Sequence, residues 1–199
     1  MVVFKTGATF ASDCRMYFSG DTLVYFFMGT TTQNPASGKA ILRRLDKMNT
    51  YLDEVEAAIN HSTLRDARVS QADVAWQLDH LLKVCLSVGK TLKNSDPATF
   101  KPSSSMKRRI VFTTGKIPRG KAKAPSYVRP PELVSEEDLR SQLLQARALM
   151  DEVAQLAEGK YIDHPIFGHL HRNDAVKFLC IHTNHHLKIV RDIVKIAGK

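Results

Sequence analysis

The sequence predicts an all-α fold, a four-helix bundle with a long crossover between its second and third helices. Three observations predict it. Four stretches carry apolar residues in alternating steps of four and three, polar caps stand at several of their ends, and no strand-period or hairpin pattern competes over a comparable length. The 199 residues, 43% hydrophobic and 25% charged with 10 Gly and 8 Pro, are enough to bury a sizeable core, which excludes a wholly disordered or fibrous chain.

The first helix presents Ile41, Leu45, Met48, Leu52, Val55 and Ile59 on one face, at about 100° per residue. The second presents Val74, Leu78, Leu81, Cys85, Val88 and Leu92, with Ser70 as its N-cap. Leu139, Leu143, Ala146, Met150, Val153 and Ala157 make the third, opened by a capping box of Ser135 and Asp138 and stopped at Gly159. Val176, Cys180, Thr183, Leu187, Val190 and Val194 make the fourth, capped by Asn173.

A short link, His61 to Val69, joins the first pair of helices, and Lys160 to Arg172 joins the last pair. Between them Ser95 to Val134 holds six of the eight prolines. A connection of that length is usually functional or mobile, and it suits an up-down-down-up arrangement, with Ile110 to Thr113 as a possible short strand. Residues 37–199 form the bundle domain in this reading. Residues 1–36 fit none of the periodicity and stand apart, either as an added element or as a leader.

The net charge of +9 is local. Lys101, Lys107, Arg108, Arg109, Lys116, Arg119, Lys121, Lys123 and Arg129 occur in one run without an acidic residue, which leaves twenty basic against twenty acidic residues elsewhere. A nucleic-acid-binding protein using this 101–129 segment is therefore one alternative, opposed by the presence of only Phe112 and Tyr127 for stacking bases. Apolar runs such as Leu23–Met28 fall far short of the ~20 residues of a membrane span. Three cysteines, Cys14, Cys85 and Cys180, without C-x-x-C spacing, suit a reducing, cytoplasmic location. Cys85 and Cys180 read as small core residues.

The eight histidines carry the chemistry. His182 and His186 are one turn apart and lie within the apolar arc of their helix, whereas His185 sits at its polar border. A buried imidazole needs a hydrogen-bond partner or a metal, and two on one face can direct two nitrogens at one ion. Satisfied core histidines are the other reading. His80 lies at the edge of the apolar face of its helix, while Asp79 and Lys83 read as solvated. Loop residues His164, His169 and His171 are weaker candidates for a second site, and Asp163 reads as a turn residue or an outer partner. Gly115 and Gly120 bracket Pro118 and Arg119, a turn that could present one guanidinium to an anionic substrate. No serine-hydrolase elbow, P-loop or dinucleotide fingerprint occurs.

Leu78-x-His80-Leu81, the long crossover and His182-x-x-x-His186 together resemble the DinB/YfiT-like metal-binding bundles over roughly Gly38 to Lys199. His164-Pro165-x-Phe167-Gly168 and Gly115-Lys116-Ile117-Pro118-Arg119-Gly120 look like an uncharacterised branch of that family. Val176 and Ile189 stand where relatives often carry Trp and Gln. The resemblance implies that His80, His182 and His186 bind one divalent ion, such as zinc, nickel or iron. It also implies the chemistry of thiol-dependent transferases and isomerases. The function expected here is a metal-dependent transferase, with a low-molecular-weight thiol, or a hydrolase acting on a small-molecule substrate. A metal-stabilised scaffold without catalysis is a further alternative, and a homodimer is compatible with the sequence.

Overall fold

The computed structural model describes residues 17–19, 22–24, 35–120 and 124–197, and the chain divides into two units, Met1–Thr32 and Gln33–Lys199. In the first unit β1 (Tyr17–Ser19) pairs antiparallel with β2 (Thr22–Val24), with Phe18 opposite Leu23. Cys14, Tyr25 to Phe27 and most of the expected leader lie outside the described residues, as do Lys121 and Lys123.

The second unit is mostly helical. Its helices are α1 (Pro35–Ile59), α2 (Val74–Asn94), α3 (Met106–Thr114), α4 (Glu136–Gln155) and α5 (Arg172–Ala197). The apolar stripes explain the four long ones. Every stripe residue named above is buried except Ala157, which lies beyond the end of α4, and Val194, which is half-buried. α1 and α2 each pack against both α4 and α5, so the four stripes close on one core, each large apolar side chain contributing about 1.5–3 kcal/mol by leaving water. α2 and α4 approach so closely at Gly89 that a β-carbon there would stand 2.6 Å from Leu149 Cγ.

Four local expectations are corrected. The N-cap of α2 is Asp73, whose carboxylate accepts from the Trp76 N–H at 2.8 Å. Ser70 instead accepts from the Ala72 N–H in the preceding turn. α5 begins at Arg172, so Asn173 lies inside its first turn, where its carbonyl accepts from Arg44 of α1. α4 ends at Gln155, four residues before Gly159. Ile110 to Thr113 is helical rather than extended: Ser105 caps α3 through the Arg108 N–H, and Gly115, at φ 64°, closes it with its N–H on the Val111 carbonyl. Caps at both ends and the burial of Val111 outweigh the strand preference of those β-branched residues.

The link from α4 to α5 is a hairpin, β3 (Tyr161–His164) paired antiparallel with β4 (Gly168–His171). Only Ile162, Phe167 and Leu170 point inward, too few for a period-two signal. Among the described residues no helix is long and apolar enough to cross a membrane.

Candidate metal centre

α2 and α5 pack along one another and bring His80 against His182 and His186. The ring centroids are 5.2 Å apart for His80 and His182, 4.8 Å for His80 and His186, and 4.6 Å for His182 and His186. One nitrogen from each ring lies within 4.8 Å of the other two, so the trio could hold a metal ion.

The outer partners decide which nitrogens are available. Nδ1 of His80 lies 2.8 Å from the Val128 carbonyl oxygen, and Nδ1 of His186 lies 2.7 Å from Oε1 of Gln77. Neither oxygen has a hydrogen to give, so both imidazoles carry their proton on Nδ1 and leave the Nε2 lone pair free. Gln77 is itself oriented, because its Nε2 donates to Ser70 Oγ at 3.2 Å. Nδ1 of His182 is buried with no hydrogen-bond partner. A donor set of imidazoles with two tautomers fixed and one orphaned nitrogen fits a divalent ion of the zinc, nickel or iron type.

Electrostatics act in the same direction. His80 is 5% and His186 7% exposed, and burial pushes all three imidazoles below their ordinary pKa, His182 and His186 far below it. Positive charge on any of the three would also repel positive charge on its neighbours. The trio is neutral at pH 7, the form that ligates metal. Aromatic rings wall the cluster: Trp76 stacks on His80 at 5.2 Å, and Phe178 lies 5.5 Å from His182.

Other predicted residues take other roles. Asp79 is not solvated: it is 2% exposed, accepts from Gln142 Nε2 of α4 at 2.7 Å and pairs with Lys83 Nζ at 2.7 Å. Arg119 is not free, since its guanidinium donates to Asp192 of α5 at 2.7 Å. His185 is half-buried, edge-on to His186, and burial together with nearby Arg119 lowers its pKa. His164 packs on Phe167 and Phe178, and burial pulls its pKa down to about 4. His169 stacks on Tyr161 and His171 on Phe100, where the His169 Nδ1 accepts from the Lys101 N–H. Asp163 is exposed opposite His169 in the hairpin, 4.0 Å from its Nε2. The buried thiols of Cys85 and Cys180 are pushed up to about 12 and about 11, so both stay protonated. Within the basic run, Arg108 and Arg119 are bound to α5 carboxylates, Asp174 and Asp192.

Sequence reading gave Gln77 and the Val128 carbonyl no role and took Ser70 only as a helix cap. Gln77 carried a usable signal, because a glutamine three residues before His80 falls on the inner face of α2 and must find a partner there. The family model described as "Protein of unknown function (DUF1569)" matches residues 45–193, about three quarters of the chain and all three histidines. No curated protein and no solved structure matches.

Proposed function

The chain belongs to the DUF1569 family, and from that premise we propose that it is a metal-dependent transferase or hydrolase for a small substrate, with one divalent ion held by His80, His182 and His186. The observation that carries the reading is the pair of hydrogen bonds from His80 to Val128 and from His186 to Gln77, which leave two Nε2 lone pairs free in a cluster where one nitrogen of each ring lies within 4.8 Å of the others. In this proposal α1, α2, α4 and α5 form a DinB-like four-helix bundle. When bound, such an ion would supply Lewis acidity toward a carbonyl, or lower the pKa of a coordinated water or thiol.

The chain's own contribution is to hold neutral imidazoles in place and keep water from their flanks with Trp76 and Phe178. Three histidines supply no negative charge and leave coordination positions for water, a thiol or substrate. The carboxylate of Asp79 is occupied by Gln142 and Lys83, so it is not a base for the site.

The test is metal analysis of protein purified without a histidine tag, followed by activity against thiols paired with electrophilic acceptors and against hydrolysable amides and esters. One ion per chain, lost in His186→Ala together with turnover while His185→Ala keeps both, is the expected result. Wild-type protein that binds no divalent ion at micromolar concentration overturns the reading.

A further inference from the structure

On the α1 flank of α5 lies a cleft of about 410 Å³, with no histidine and no residue of α2 among its lining. Arg43, Arg44 and Lys47 of α1 and Lys177 of α5 line it, with Phe112 of α3 and Ile181 as apolar walls and no acidic residue among the lining. Cys180 Sγ contacts the Arg44 carbonyl at 3.3 Å, which fixes the floor of the cleft against α1. We propose that this cleft is a binding site for a small phosphate-bearing ligand with an apolar or aromatic body, separate from the metal centre.

What carries the proposal is the gathering of four cations in one cleft, because other described cations, Lys90, Lys107 and Arg109 among them, also stand without a carboxylate but do not line it. Arg191 is bound to Glu54, Arg147 to Asp53 and Glu56, Arg108 to Asp174, Arg119 to Asp192 and Lys83 to Asp79. Among the described residues, Arg43, Arg44, Lys47 and Lys177 have no carboxylate within 4.0 Å, although they gather in one place. Arg43 and Lys47 are also one turn apart on α1, a like-charge spacing that weakens a helix. The C-terminal turn of α3 at the cleft presents only about half an elementary charge against four. One nitrogen of the Arg44 guanidinium donates to the Asn173 carbonyl at 2.9 Å, which restrains this side chain in the cleft lining. Lys177 Nζ stands 5.2 Å from the centre of the Phe112 ring, which steadies it between the apolar wall and the opening.

A phosphate monoester meets this set better than a carboxylate, because it brings up to two negative charges and three acceptor oxygens to several donors at once. Phe112 and Ile181 leave an apolar surface for the esterified group.

The experiment is calorimetric titration of the full chain with phenyl phosphate, inorganic phosphate and benzoate, each with and without EDTA. Phenyl phosphate is expected to bind saturably at one site, unchanged by EDTA, more tightly than either of the other two. Lys177→Gln should weaken it about tenfold and Arg43→Gln/Lys177→Gln further, since each change removes a charge-assisted contact. Lys90→Gln, on an exposed turn of α2, should leave it unchanged, and circular dichroism of each variant should match the wild type. Absence of saturable binding, loss of binding in EDTA, equal affinity for benzoate, or indifference to both variants each overturns the proposal. A single-stranded 20-mer that binds more tightly than phenyl phosphate and is lost in the same variants also overturns it, in favour of a nucleic-acid backbone.

Discussion

His186 and Gln77, 109 residues apart, are joined by one hydrogen bond from the imidazole Nδ1 to the amide oxygen. The Gln77 amide nitrogen donates to Ser70 and its oxygen faces the imidazole, so in this arrangement His186 is the donor. Gln77→Leu therefore removes the acceptor and frees the ring to change tautomer. Zinc affinity, measured by competition with a chelator, should fall about 10- to 100-fold. Stability in urea should fall by about 1–3 kcal/mol from the stranded donor. Gln77→Glu, which keeps an acceptor, should retain most of the affinity.

Trp76 is the one tryptophan of the chain, and it stacks on His80. Nickel or copper titrated into metal-free protein should quench its fluorescence, saturating at one equivalent. The quench should vanish in His182→Ala, which touches nothing on Trp76. Quenching that survives in His182→Ala and His186→Ala would place the ion elsewhere.

Gly89→Ala sets two effects against each other. Alanine in a helix interior normally gains about 0.5–1 kcal/mol over glycine, whereas forcing a methyl into packed side chains costs about 1–3 kcal/mol. The contact with Leu149 Cγ makes the second effect win, so the variant should unfold earlier in denaturant. Leu149→Ala should cost less in the Gly89→Ala background than in the wild type, and strictly additive costs would contradict the contact.

His164 makes a prediction about acid. Its Nδ1 accepts from the Ile166 and Phe167 N–H groups, and burial holds its pKa near about 4, below the ordinary 6.5. The unfolded chain then takes up a proton that the folded one refuses, so the stabilisation is complete above about pH 6.5 and is lost as pH falls through about 4. The three clustered histidines shift in the same direction, so the comparison must be with a variant. His164→Asn, which keeps an acceptor, should show a shallower fall in melting temperature between pH 7 and 4.5. Identical profiles would contradict the burial argument.

What was legible in the sequence was long-period. Stripes of six apolar residues identify α1, α2, α4 and α5 because a helix repeats its signal over five turns, and His182 and His186 show themselves by falling inside such a stripe. His80, at an edge, gains its place only when α2 meets α5. The features that stayed hidden are short or distant. Four-residue strands with one inward residue each carry no period, and Ser105 and Gly115 overrule a β-branched run only once both caps form. Asp79 reads as solvated because Lys83 stands one turn away, yet α4 covers it with Gln142. The partners of the imidazoles lie 48 and 109 residues from them, with nothing local to announce them.

Val128 sits in the crossover, and its carbonyl holds Nδ1 of His80. Whatever withdraws electron density from Nε2 of that ring makes Nδ1–H a stronger donor, and so tightens the grip on Pro125–Arg129. The converse is thermodynamically required: anything that pulls this stretch of the crossover away must loosen the histidine by the same free energy. The connection between α3 and α4 is thus a reporter of what happens at the imidazoles. A protease that cuts between Arg119 and Arg129 should do so more slowly when the trio is loaded, with no ligand touching the cut site.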